Sequence, residues 1–292
     1  MYFTWIILIL SVKTKREGMI DIRSITFRYP GQGRNVFSDF SLSMEEGGVW
    51  GLLGKNGTGK STLLYIISGL SRPQRGEVLV GGERACRRSA SMMSELFLVP
   101  EEFDLPPVTL STYVRINEGF YPRFSHEVLD SCLRDFELPA SLNLGELSMG
   151  QKKKVFMSFA LATGTRLLLM DEPTNGLDIP SKSQFRRAVA SSMSEGRTVM
   201  IATHQVHDVE ALVNRVMILS ESRLLLNEPT AVLSARYTFG LRMPQEMTSD
   251  VVYAEPTLQG NAVIARRKPG EAETPVNLEL LFNAVTGGYL NQ

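Results

Sequence analysis

An α/β fold organised on a parallel sheet is predicted by three observations in this 292-residue sequence. The apolar run 49–53 leads into Gly54-Lys55-Asn56-Gly57-Thr58-Gly59-Lys60-Ser61-Thr62, and Leu63, Leu64, Ile66, Ile67 and Leu70 follow at helical spacing. That is a strand, a glycine-rich loop and a helix in succession. Two further apolar runs end in polar residues: 166–170 before Asp171-Glu172-Pro173, and 198–202 before Thr203-His204. Buried strands of this kind, separated by helical stretches, belong to an open α/β sheet that binds ligands at the carboxyl edge.

The loop fulfils the pattern G-x-x-x-x-G-K-[ST] from Gly54 to Ser61. Gly54, Gly57 and Gly59 let the backbone turn sharply, so that successive N–H groups converge on phosphate oxygens at the positive end of a helix. Lys60 then reaches the β- and γ-phosphates, and the Ser61 hydroxyl ligates Mg²⁺. A bare glycine turn has no need of Lys-Ser at that fixed offset.

The length allows one large core plus an appendage. Charge is balanced, 31 basic against 31 acidic residues, so composition gives no support for a nucleic-acid partner. Cys86 and Cys132 suggest neither a disulfide framework nor a zinc site and fit a reducing cytoplasm. No run approaches the roughly 18 to 20 apolar residues of a membrane helix. Residues 2–10 are apolar, but the basic cluster Lys13, Lys15, Arg16 follows them, the reverse of a secretory signal. Residues 1–18 are therefore expected to lie outside a fold that begins at Met19, a short membrane-surface anchor being the alternative.

Residues 20–29 are strand-like, Pro30-Gly31-Gln32-Gly33 turns, and apolar alternation resumes over 37–44, which predicts a small antiparallel β region. Tyr29 at its end reads from these residues alone as an ordinary strand tyrosine. A strand and tight turn follow over 76–82, and a buried strand over 96–99 stops at Pro100-Glu101-Glu102. A helical insert occupies 109–139, including 126–138 with Val128, Leu129, Cys132, Leu133 and Phe136 on one side.

In Leu147-Ser148-Met149-Gly150-Gln151, Ser148 and Gln151 have capping-box spacing, and Val155, Phe156, Phe159 and Ala160 continue a helical stripe. Lys152, Lys153 and Lys154 crowd the first turns of that helix, where its dipole disfavours cations. A bound anion and a solvated basic face account for them equally. Asp171 and Glu172, at the end of a strand, are placed as a metal-holding carboxylate beside a base. Asn175-Gly176-Leu177-Asp178 then turns the chain into a helix running to about 195, and His204 ends a strand at the same edge.

Together these motifs resemble the ATP-binding subunits of the ABC (ATP-binding cassette) family. Residues 54–61 match its Walker A loop, 147–151 its signature, 167–172 its Walker B strand with the following glutamate, 175–178 its D-loop, and His204 its switch histidine, all in family order. The resemblance implies a P-loop NTPase (RecA-like) core with an antiparallel β subdomain over residues 19–228, a helical signature subdomain at about 88–165, and a small α+β appendage at 229–292. It implies that Tyr29 stacks on adenine and that Gly54, Asn56, Gly57, Thr58, Gly59, Lys60, Ser61 and Thr62 hold ATP. Ser61 and Asp171, with Glu101, hold Mg²⁺; Glu172 polarises the attacking water and His204 contacts the γ-phosphate. Ser148, Gly150, Gln151 and Asp178 address nucleotide bound to a second subunit, so two ATP molecules are sandwiched in a head-to-tail dimer. The implied partners are that second subunit and a transmembrane permease at the inner face of the cytoplasmic membrane.

Two positions depart from the family pattern. Glu101 stands where a glutamine is usual; a carboxylate can ligate Mg²⁺ but cannot donate as an amide does. Met149 replaces the first signature glycine, and with Ser148 and Gly150 present activity is expected to survive. A single cassette without long coiled coils argues against chromosome-maintenance and translation relatives. Phe120-Tyr121-Pro122 and residues 277–284 resemble the exporter branch, with a separate permease chain; a soluble ATPase of iron-sulfur assembly is the alternative. A regulatory module without turnover is disfavoured by intact Lys60, Asp171, Glu172 and His204. In the appendage, strands 251–254 and 262–266 are expected to flank Gln259-Gly260-Asn261 ahead of an amphipathic helix. Its role is dimer support, regulation or packing.

Overall fold

The structure is a computed structural model and describes residues 18–139 and 141–290. The expectation for the first eighteen residues lies, apart from Gly18, outside the described residues.

Six strands form the central sheet: β3 (Gly48–Leu53), β6 (Leu96–Val99), β7 (Leu167–Asp171), β8 (Thr198–Thr203), β9 (Arg215–Ser220) and β10 (Arg223–Pro229). Their order is β10-β9-β3-β8-β7-β6, parallel except at the β10 edge. Every residue of β7 and β8 is buried, as in parallel strands covered on both faces. The two faces use alternate residues. Leu167, Leu169, Met200, Ala202, Met217 and Leu219 join one apolar cluster, while Leu168, Met170, Val199, Ile201, Val216 and Ile218 join the other. Truncating a central residue such as Ile201 to Ala would cost about 2–5 kcal/mol.

The first face is covered by α1 (Lys60–Ile67) and by a second, antiparallel sheet of order β2-β1-β4-β5, built from β1 (Ile20–Phe27), β2 (Phe37–Met44), β4 (Arg75–Val80) and β5 (Glu83–Arg84). Its β2 and β1 are the antiparallel pair expected from the sequence, and β4 extends them.

Between β5 and β7 the chain forms α2 (Ala90–Ser94), α3 (Leu110–Asn117), α4 (His126–Asp135) and α5 (Met149–Ala162). The helix expected to reach 138 stops at Asp135, because Glu137 takes a left-handed φ of 55° and Phe136 turns fully into the core. Helix α5 starts as its sequence dictates: the Gln151 N–H donates to Ser148 Oγ at 3.3 Å and the Ser148 N–H to Gln151 Oε1 at 3.0 Å. Its other end is held by Arg197, buried and donating to the Leu161 carbonyl at 2.9 Å and the Ser192 carbonyl at 2.9 Å. Burial pulls that guanidinium's pKa down to about 10. Helix α6 (Ile179–Ser191) ends short of the expected 195.

Beyond β10 come α7 (Thr230–Arg236), a sheet of order β11-β13-β12, and α8 (Leu278–Thr286). Strands β12 (Val251–Thr257) and β13 (Gly260–Arg266) pair across Leu258 and Gln259. Strand β11 (Tyr237–Arg242), absent from the sequence expectation, pairs with β13. Helix α8 buries Leu278, Leu280, Leu281, Ala284 and Val285 in the main core. It docks on the turn just after His204: the Leu278 N–H donates to Glu210 Oε1 at 2.8 Å and His207 pairs with Glu279.

Candidate functional site

Strand order assembles the site. Because β3 lies beside β8 and β8 beside β7, with Leu53 opposite Thr203 and Asp171 opposite Ala202, three consecutive carboxyl ends deliver the glycine loop, Asp171-Glu172 and Thr203-His204 to one edge. An open cleft of about 540 Å³ lies there, bounded by Tyr29, Asn56, Gly57, Gly59, Lys60, Ser61, Thr62, Glu101, Glu172, Asn175 and His204.

The loop has the backbone its glycines permit. Gly57 and Gly59 have φ of 79° and 101°, and a Cβ on Gly59 would stand 2.9 Å from Val36 and 3.0 Å from the Phe37 ring. Gly54 is closed in by Thr58 Oγ1 at 2.6 Å and the Leu219 carbonyl at 2.8 Å from where a Cβ would be. Lys60 is only 5% exposed. Its ammonium donates to the Gly54 carbonyl at 2.8 Å and the Lys55 carbonyl at 3.2 Å and lies 3.6 Å from Glu172 Oε1. At the rim, the Tyr29 and Thr62 hydroxyls are 3.0 Å apart, and the Tyr29 ring meets Phe27 edge-on.

Asp171 is 1% exposed, and neither carboxylate oxygen has a hydrogen-bond partner among the described residues. Burial pushes its carboxyl upward, helped by the charges of Glu101 and Glu172, while the Ser61 hydroxyl, near but outside hydrogen-bond geometry, and Lys60 pull it down. An orphaned buried oxygen pair is costly alone and fits a hard cation. Mg²⁺ commonly takes one or two carboxylates and leaves its other positions to water and substrate phosphates.

Glu172 has a φ of 44°, a region that costs a non-glycine residue on the order of 1–3 kcal/mol. Its surroundings over-determine it. Oε2 accepts from the Thr203 hydroxyl at 2.8 Å, and Oε1 accepts from the His204 N–H at 3.0 Å and lies 2.8 Å from His204 Nδ1. The main chain is held as well, since the Glu172 carbonyl accepts from the Lys153 ammonium at 2.9 Å. Glu101 Oε1 accepts from Asn175 Nδ2 at 2.8 Å, which brings that carboxylate to the wall of the cleft.

The signature residues do not line this cleft. Ser148 and Gln151 are engaged in capping α5, while Met149, 62% exposed, and Gly150 face a second cleft bounded by Glu101, Lys153, Asn175 and Gly176. Asp178 is also outside the first cleft; it caps α6 by accepting the Ser181 N–H at 2.9 Å, and that hydrogen bonding holds its carboxyl below the usual range. Two residues of the site were not singled out from the sequence. Thr203 had a signal, a hydroxyl at the end of a buried strand beside His204. Lys153 was hidden within a run of three lysines.

Fold and loop define a P-loop nucleotide-binding protein. The ABC transporter family pattern matches residues 37–175. A Thermosynechococcus vestitus protein, whose name describes it as an ABC transporter ATP-binding protein, is 32% identical over 72% of this chain and 78% of its own length. The Nod factor export ATP-binding protein I of Neorhizobium galegae is 27% identical over 72% of this chain and 62% of its own. The arabinose import ATP-binding protein AraG 2 of Burkholderia ambifaria is 29% identical over 93% of this chain and 54% of its own. Among solved structures, an ATP-binding subunit of an ABC transporter gives a TM-score of 0.65 at 25% identity, covering 74% of this chain and 91% of that one. The dimeric cassette MJ0796, bound to ADP and Pi after hydrolysis, gives 0.63 at 25% identity, covering 72% and 98%. The chain belongs to the ABC transporter ATP-binding family and is an ATPase.

Proposed function

We propose that this chain pairs with a second ATP-binding subunit around two ATP molecules and drives a separate membrane permease, from the inner face of the cytoplasmic membrane. The observation that carries the reading is the split between the two clefts. The phosphate loop, Glu172 and His204 share one, with Asp171 buried next to Glu172 in the chain, whereas Ser148 and Gly150 stand outside it. No described helix is long and apolar enough to cross a membrane, so a permease would supply the path.

In this reading Gly57, Gly59 and Lys60 bind the phosphates, and Ser61 and Asp171 hold Mg²⁺, which supplies charge neutralisation at the phosphoryl oxygens. Tyr29 and Thr62 line the mouth of the cleft, where the base would lie. Glu172 accepts a proton from the attacking water, its carboxylate aimed by Thr203 and the His204 main chain. The His204 ring, 2.8 Å from the same carboxylate, would contact the γ-phosphate. Glu101 would be an outer carboxylate toward the cation, and Asp178, in the D-loop, would address nucleotide bound to the partner subunit.

Relatives named for export and for import both match. We place the chain on the export side, on the resemblance of Phe120-Tyr121-Pro122 and residues 277–284. The test is reconstitution with the permease found beside it or copurified with it. Magnesium-dependent turnover in a dimer is expected; equal turnover by an isolated monomer would overturn the reading. Cargo accumulating inside inside-out vesicles would support export, and cargo leaving them would reverse the direction.

A further inference from the structure

Three lysines follow the signature, and the structure gives them different fates. Lys152 is half-buried, and Lys154, half-buried too, reaches Gln184 Oε1 on α6 at 3.2 Å. Lys153 is 5% exposed and turns inward, its ammonium donating to the Glu172 carbonyl at 2.9 Å and the Asn175 carbonyl at 2.8 Å. A buried ammonium is expensive unless its protons are used, and here they are used on both ends of the bend that follows β7. Burial lowers its pKa, and Glu101, Glu172 and Asp171 oppose that shift.

We propose that Lys153 is a positioning residue that couples the nucleotide met by Ser148 and Gly150 to the orientation of Glu172 in the chain's own phosphate cleft. The inference rests on the two-subunit reading above. It adds a specific route by which one site would sense the other. Ser148 and Lys153 are joined by a continuous helix, separated by about 7.5 Å of rise. Lys153 also lines the second cleft beside Met149 and Gly150. A displacement of the helix start is therefore delivered to the carbonyl of Glu172. That residue holds a φ of 44°, a conformation that persists only while its surroundings impose it. The side chain of Glu172 is gripped from β8 and its main chain from α5, so the base is aimed only when both grips agree.

The test uses the full chain with its permease and compares Lys153→Met, which keeps an unbranched side chain and removes the donors, with Lys153→Arg, which keeps donors for both carbonyls. ATP turnover is measured against ATP concentration, and ATP-dependent dimers are measured by size exclusion in a Glu172→Gln background. Lys153→Met is expected to lower kcat by at least about tenfold, the scale of a misaimed catalytic group. It should move the Hill coefficient toward one while ATP affinity and dimer formation stay within about twofold; Lys153→Arg should recover cooperativity. Unchanged kcat and Hill coefficient in Lys153→Met would overturn the proposal. So would a loss that follows ATP affinity or folded fraction alone. If Lys153→Met does not fold, Lys153→Gln is read by the same criteria. An inactive wild-type complex would instead defeat the two-subunit reading.

Discussion

The phosphate cleft and the start of the signature helix are two different kinds of surface. The cleft is made by adjacent ends of β3, β8 and β7, and its groups are buried, Lys60, Asp171 and Glu172 being 5%, 1% and 4% exposed, with Lys60 and Glu172 also held by hydrogen bonds. The helix start lies outside the cleft, with Met149 62% exposed and the hydroxyl of Ser148 occupied by its own cap. One surface is a set of interlocked buried groups, and the other is a finished cap with an open face. A chain that served one nucleotide by itself would be expected to bring both to the same place.

The largest expected effect lies in the cleft. Glu172→Gln should lower turnover by at least about a hundredfold, within the range for loss of a positioned base, while ATP binding persists and dimers accumulate. Normal turnover would remove Glu172 from its assigned role. Next, Lys60→Ala and Ser148→Arg chains should each be inactive, yet a one-to-one mixture should recover turnover, up to roughly a quarter of wild type. Half of the dimers then carry one intact site assembled from both chains. No recovery would break the comparison at its centre.

A smaller effect separates stability from function. Asp171 has a raised pKa in the folded chain. It therefore binds its proton more tightly when folded, and the penalty for its charge is fully present above the folded pKa. The penalty is relieved as pH falls toward the unfolded value. Without Mg²⁺ and nucleotide, Asp171→Asn should raise the thermal midpoint at neutral pH by about 2–4 °C, corresponding to about 1 kcal/mol, while abolishing magnesium-dependent turnover. A lowered midpoint would mean the carboxylate is already compensated. Ser148→Ala should cost about 1 kcal/mol through the lost cap, read as a lower midpoint. The smallest effect is expected for Glu101→Gln. It keeps an oxygen for Asn175 Nδ2 and should preserve or improve stimulation by the permease; complete loss would show that the carboxylate itself is required.

Much of the cleft was legible because its parts are local. A strand, Gly54 to Ser61 and an apolar helix are contiguous, and so are β7 and Asp171-Glu172. The start of α5 could be read from Ser148 and Gln151 for the same reason, since a capping box is a contact between residues three apart. Strand β11 was missed because Gly240 interrupts a short segment whose partner, β13, arrives some twenty residues later. Lys153 was missed because three consecutive lysines look alike until something distant chooses among them.

Chain order alone determined which residue types could cradle phosphate, hold a cation and act as a base, because those demands are met by short runs with fixed spacing. Only tertiary structure decided that β8 lies between β3 and β7, that Thr203 reaches Glu172, and that Lys153 belongs to the carbonyls of Glu172 and Asn175. It likewise decided that α8 rests against the turn beyond His204. These pairings join residues from 19 to 72 positions apart. A flexible chain carries no preference for them until burial of the two sheet faces brings the partners within bonding distance.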